Sequence, residues 1–120
     1  MTTGVPKTAG EWGQSRDLAQ QLAIECHQDA QTVLLVLNGE VDLASATQIE
    51  HAFVDATSRC SRVVIDLAAV EFIDSIGVAT LLRAQRHADA NDRSLVLRRI
   101  PPQARQLFEL AGVASAFVTD

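Results

Sequence analysis

Three amphipathic stretches of helical period are interleaved with short apolar runs of strand type, and that alternation leaves few folds open to the chain. "LAIECHQ" and "TVLLVLNG" read as two strands joined across "DAQ", with Asn38 and Gly39 ending the second. Val33, Leu34, Leu35, Val36 and Leu37 form a nearly continuous apolar run, the pattern of a strand covered on both faces. In "ASATQIEHAFVDATS", Ala46, Ile49, Phe53 and Ala56 recur at i, i+3, i+7 and i+10, which draws one apolar stripe along a helix. Asp42 is a candidate cap for it, and Ser45 with Gln48 also fits a capping box. "RVVIDLAAV" is a strand rich in β-branched residues. After "FIDSIG" comes a helix whose inward face is Val78, Leu81, Leu82 and Gln85 or Ala88. "SLVLRRI" is a further strand. "PPQARQLFELAG" is a third helix, with Pro at its start, Gly after its end, and Ala104, Leu107, Phe108 and Ala111 as its stripe. The tail "ASAFVTD" suits a short final strand or a turn.

Strands that alternate with helices need crossover connections, so the expected class is α/β with a mostly parallel or mixed sheet of about four to five strands. Three helices suffice to cover one face of such a sheet. At 120 residues the chain is expected to form a single domain with a sizeable core. Residues 1–18, polar and rich in Gly and Thr, read as an N-terminal extension in which Trp12 is the side chain suited to dock, and residues 19–120 read as the domain.

Charge and composition remove several function classes. A formal net charge of −5 argues against direct nucleic-acid binding, which normally needs a basic face. No stretch approaches the roughly 20 apolar residues of a membrane helix. The N-terminus lacks an apolar segment behind a basic start, so no signal peptide is expected and the chain reads as cytoplasmic. Cys26 and Cys60 fit no metal or redox spacing and read as reduced thiols; neither a metal nor a cofactor is expected.

The residues that carry chemistry lie in "EFIDSIGVATLL", where an apolar run stops at Asp74 and Ser75 and Gly77 open another. A hydrolase elbow would need Gly-x-Ser-x-Gly, and Ile73 stands where the first Gly belongs. His51 and His87 fall on polar helix faces, so a triad with Ser75 needs a tertiary coincidence. Phosphate loops of the Gly-x-x-x-x-Gly-Lys and Gly-x-Gly-x-x-Gly types are missing. Asp66 is not read as the phosphorylated aspartate of a receiver domain, which also needs an acidic pair and a late lysine; it reads as a strand-end residue bonded locally. Two readings of Ser75 stay open. Asp74 or Ser75 serves as a plain helix cap, or Ser75 accepts a phosphate, which the positive end of a helix favours. A phosphate brings about −1.5 to −2 charges, placed here beside Asp74. Any partner that had buried the neutral hydroxyl would then face a charge to desolvate.

"LNGEVDLASA", "VVIDLAAVEFIDSIGVATLL" and "LVLRRIPPQARQLFELAGV", in that order, resemble a STAS domain of the bacterial anti-sigma factor antagonists. The resemblance runs from about residue 21 to 118. It implies a mixed sheet with helices packed on one side and a non-enzymatic, partner-switching role. In the role so implied, the unphosphorylated protein would bind an anti-sigma factor that is also an ATP-dependent serine kinase, phosphorylation would end the complex and a phosphatase would reset it. Residue by residue, the resemblance implies Ser75 as phosphoacceptor after the motif aspartate Asp74. Gly77 opens the helix, Asp42 lies near the site and Gly39 is the turn glycine before it. Ile76 departs from the pattern, because the family usually has Ser or Thr there; with Asp42, Asp74, Ser75 and Gly77 it is a candidate partner-binding residue. A constitutive STAS adaptor, bound to a transporter ATPase or a signalling complex, is the alternative role. A small serine hydrolase is the enzymatic one.

Overall fold

Asp29 makes the first corner of the sheet, its side chain accepting the N–H groups of Gln31 (2.9 Å) and Thr32 (2.8 Å). The computed structural model describes residues 21–120; the expected extension and Trp12 lie outside the described residues. The corner joins β1 (Leu22–Gln28) to β2 (Thr32–Val41) as an antiparallel hairpin. β3 (Arg62–Ile73) and β4 (Ser94–Arg98) then pair in parallel beyond β2, so the mixed four-stranded sheet runs in the order β1–β2–β3–β4. α1 (Leu43–Arg59) and α2 (Ser75–Ala90) supply the two crossovers, and α3 (Pro102–Leu110) follows β4. The tail is a 3₁₀ turn (Ala114–Ala116) and a single parallel bridge from Thr119 to Leu97, not a full strand. The α/β class and the mixed sheet are those expected from the sequence.

Cross-strand register sorts the side chains. Val33 opposes Val63 and Leu95, and Leu35 opposes Ile65 and Leu97, so these residues share one face and are almost fully buried. Ile49 and Phe53 of α1, Leu81 and Ala88 of α2, and Ala104 and Phe108 of α3 complete that core. Leu34 and Val36 point the other way and are half-buried. The apolar run in β2 is therefore not covered on both faces by helices; the helices pack on one.

The stripe of α1 is the expected one, but three local expectations change. β2 does not stop at Asn38–Gly39: it continues to Val41, with register shifts after Val36 and after Gly39. Gly39 sits inside that irregular stretch at φ +126°, buried, where an added Cβ would lie 2.0 Å from the Gln21 carbonyl oxygen. A bulge, not a turn, uses its conformational freedom. The box capping α1 pairs Asp42 with Ser45, while Gln48 donates instead to the Leu22 carbonyl (3.0 Å). In α2 the buried face holds Gly77, Thr80 and Ala84 beside Val78, Leu81, Gln85 and Ala88, with Leu82 half-buried. In α3 only Ala104 and Phe108 are buried; Ala111 is exposed.

Asp66 is not at a strand end. It lies within β3, fully buried, and accepts from the Arg99 guanidinium (Nε 3.0 Å) and the Ala68 N–H (2.9 Å), with Arg98 Nε at 3.5 Å. Burial alone would raise its pKa; the Arg99 bonds, the Ala68 N–H and the two guanidinium charges outweigh burial and hold it below the ordinary aspartate value. Arg99 adopts φ +54° to make the contact, a left-handed conformation that a non-glycine residue takes at a cost. Because the folded value is the lower one, the carboxylate contributes stability that is complete above the unfolded value and lost as pH falls through the folded value. Arg99→Ala is expected to cost about 1 to 2 kcal/mol near neutral pH, less than a fully orphaned charge because Ala68 and Arg98 remain. Denaturant melts of mutant and wild type should converge in acid, where Asp66 protonates.

Candidate functional site at the start of α2

Two helices begin side by side at the end of the sheet. Val41 closes β2 and Ile73 closes β3, which are paired neighbours, so the residues after them, Asp42 and Asp74, are brought together. Each is extended and caps the helix it precedes. Asp42 accepts from Ser45 N–H (3.3 Å) and gives its own N–H to Ser45 Oγ (3.0 Å). Asp74 accepts from Gly77 N–H (2.9 Å), while its own N–H reaches the Val41 carbonyl (3.3 Å). The choice between Asp74 and Ser75 as cap is thus decided for Asp74. Ser75 is the first helical residue and is exposed, with its hydroxyl not used for capping.

Gly77 sets how closely the two helix starts approach. An added Cβ would lie 2.3 Å from the Val41 carbonyl oxygen, 2.8 Å from Ile73 Cγ1 and 2.9 Å from Val41 Cγ1. Only hydrogen fits there, so α2 begins directly against the end of β2. α3 joins the group through Gln103, whose side-chain amide donates to the Ile73 carbonyl (3.2 Å). Between α2 and α3 lies a cavity of about 240 Å³ lined by Ser75, Val78, Leu107, Leu110 and Ala111.

Exposed apolar residues lie close in sequence to the two caps, and one more lines the Ser75 cavity. Ile76 is 39% exposed. Leu43 at the start of α1, Phe72 at the end of β3 and Leu110 at the end of α3 are exposed too, Leu110 to 78%. None of these last three is among the candidate residues read from the sequence. Leu43 and Leu110 fall off the stripes of their helices, which was the available signal, but neither places them beside Ser75.

Among the described residues no imidazole, amine or carboxylate side chain bonds to Ser75 Oγ, and Asp74 is engaged by Gly77. His51 is exposed on α1. His87 lies about 18 Å along α2 from Ser75, at 1.5 Å per residue. It is half-buried against Phe53, edge to face with ring centroids 5.8 Å apart, and not on a wholly polar face. Among the described residues no helix is long and apolar enough to cross a membrane.

The family model described as Mlab, STAS domain, matches residues 24–119, the two capped helix starts included. The chain belongs to the STAS domain family. A candidate anti-sigma factor antagonist of Bordetella bronchiseptica, BtrV, is 34% identical to this STAS domain over 88 residues, covering 71% of this chain and 74% of BtrV. The anti-sigma factor antagonist SpoIIAA in its unphosphorylated form superposes with a TM-score of 0.68 at 23% identity, covering 82% of this chain and 88% of that one. The Bacillus cell fate determinant SpoIIAA in its phosphorylated form gives 0.64 at 23% identity, covering 82% and 91%. At that identity the superpositions establish the fold.

Ile76 stands in this STAS domain where the resemblance led us to expect a hydroxyl residue. Its carbonyl accepts from Thr80 Oγ1 (2.9 Å), and its side chain is free of the buried face. Ile76→Thr should therefore change stability by less than about 1 kcal/mol in a denaturant melt. It should alter partner affinity or the rate at which Ser75 is phosphorylated. A loss of several kcal/mol with unchanged binding would place Ile76 in the core.

Proposed function

We propose that this STAS domain is an anti-sigma factor antagonist whose unphosphorylated form binds an anti-sigma factor that is also a serine kinase, thereby freeing a sigma factor. Phosphorylation of Ser75 ends the complex, and a phosphatase restores it. The partner surface comprises Asp42, Asp74, Ser75, Ile76 and Gly77, and the domain acts in the cytoplasm without contacting nucleic acid.

One observation carries the proposal: Asp74 performs the capping, so among the described residues the exposed Ser75 hydroxyl has no capping duty at the helix N-terminus. A phosphate there faces the positive ends of two adjacent helices, which favours it by about 0.3 to 2 kcal/mol. The same phosphate adds to the carboxylates of Asp42 and Asp74 and turns a mixed apolar and acidic patch strongly negative. Local stability and partner affinity then move in opposite directions, as a switch requires. SpoIIAA, whose fold this chain shares, exists in unphosphorylated and phosphorylated forms.

The test is incubation with a candidate anti-sigma kinase and ATP. Intact mass should rise by one phosphoryl group, mapped to Ser75 by fragmentation, and Ser75→Ala should not react. Stable binding to that kinase with no phosphoryl transfer would instead favour a constitutive adaptor.

A further inference from the structure

The geometry points to a second interaction surface at the first edge of the sheet, outside the inner strands β2 and β3 that lead into the Ser75 site: the outer edge of β1 pairs with β1 of a second copy of this chain, antiparallel and centred on Cys26. β1 is an edge strand, and among the described residues nothing pairs with its outer side. Its hydrogen-bonding parity follows from the bonds at its two ends, Glu40 N–H to the Gln21 carbonyl (2.9 Å) and Asp29 N–H to the Thr32 carbonyl (3.0 Å). Those odd-numbered positions bond inward to β2. In an antiparallel ladder the alternate residues, Leu22, Ile24, Cys26 and Gln28, then direct their N–H and C=O groups outward.

Charge selects the register. Pairing centred on Cys26 sets Cys26 against Cys26 of the second copy, Ile24 against Gln28, and Glu25 against His27, each heteropair twice. Glu25 and His27 are exposed on the same side of the strand, with side chains 62 to 70% accessible and 3.3 Å apart within one chain, so both can turn to a neighbour. Shifting the register by two opposes Glu25 to Glu25 in one direction and Glu25 to Asp29 in the other, and like charges placed opposite are destabilising. The Arg59 guanidinium, which touches Cys26 Sγ at 3.4 Å, is neutralised by Asp55 at 3.0 Å and does not oppose the pairing. The β4 edge offers no equivalent site, because the bridge from Leu97 to Thr119 occupies part of it. An edge this short makes a weak, concentration-dependent dimer. It is separated by β2 from β3, the inner strand that leads into Ser75, and shares no residue with that site.

Sedimentation equilibrium of the full chain under reducing conditions tests the pairing. Weight-average mass should climb from monomer toward dimer as concentration rises. Glu25→Lys should weaken association at least tenfold, and the charge swap Glu25→Lys with His27→Glu should restore it. Diamide, which oxidises two thiols to a disulfide while its azo bond is reduced, should cross-link wild type and Cys60→Ser as dimers on a non-reducing gel, but not Cys26→Ser. A monomer at every concentration would overturn the inference. So would a dimer that ignores Glu25→Lys.

Discussion

Gly77→Ala is expected to destabilise the domain by about 3 kcal/mol or more, read as a fall in the midpoint of a denaturant melt. The added methyl would sit 2.3 Å from the Val41 carbonyl oxygen, a backbone atom that cannot swing aside as a side-chain end can. To relieve the clash, α2 must lift from the end of β2. That lengthens the contact from Asp74 N–H to the Val41 carbonyl and opens the core between Val78 and Ile73. Intrinsic helix propensity points the other way, since Ala in a helix interior is favoured over Gly by about 1 kcal/mol. A stabilised mutant would therefore refute the close approach outright. Gly112→Ala is the control: an added Cβ there meets nothing within 4 Å, leaving only the strain of φ +72°.

Ser75→Asp is expected to fold like wild type and to bind the anti-sigma kinase tenfold to a hundredfold more weakly, about 1.4 to 2.7 kcal/mol. Ser75 is exposed and outside the core, so neither the cap on α2 nor the packing is disturbed. The new carboxylate follows the capping Asp74 and precedes the exposed Ile76, next to the helix start capped by Asp42. Closing a partner over that patch means desolvating a charge where a neutral hydroxyl stood. The loss should appear mainly in the dissociation rate, as it does for buried groups at interfaces. Equal affinity for Ser75→Asp and wild type would count against electrostatic release.

How much of this was legible depended on the range of the signal. The stripe Ala46, Ile49, Phe53 and Ala56 is local and periodic, and α1 buries those residues as expected. Asp74, Ser75 and Gly77 are also local: a cap, an exposed first-turn residue and a glycine lie within four positions. Asn38–Gly39 misled because a strong turn signal was used for a bulge inside β2, a choice set by pairing with Gln21 and β3. Asp66 misled because its partner, Arg99, lies 33 positions further along and meets it only through β3–β4 pairing. The place of Leu110 was invisible for the same reason: it reads as an unremarkable exposed hydrophobe until α3 packs beside α2 and it lines one cavity with Ser75.

The most direct measurement is a pair of calorimetric titrations of the anti-sigma kinase, with a non-hydrolysable ATP analogue. One uses the unphosphorylated domain, the other the same protein stoichiometrically phosphorylated at Ser75. The account predicts tight one-to-one binding in the first and at least a hundredfold weaker binding in the second, about 2.7 kcal/mol. Equal affinities would contradict the switch and leave Ser75 as an exposed residue of a constitutive adaptor.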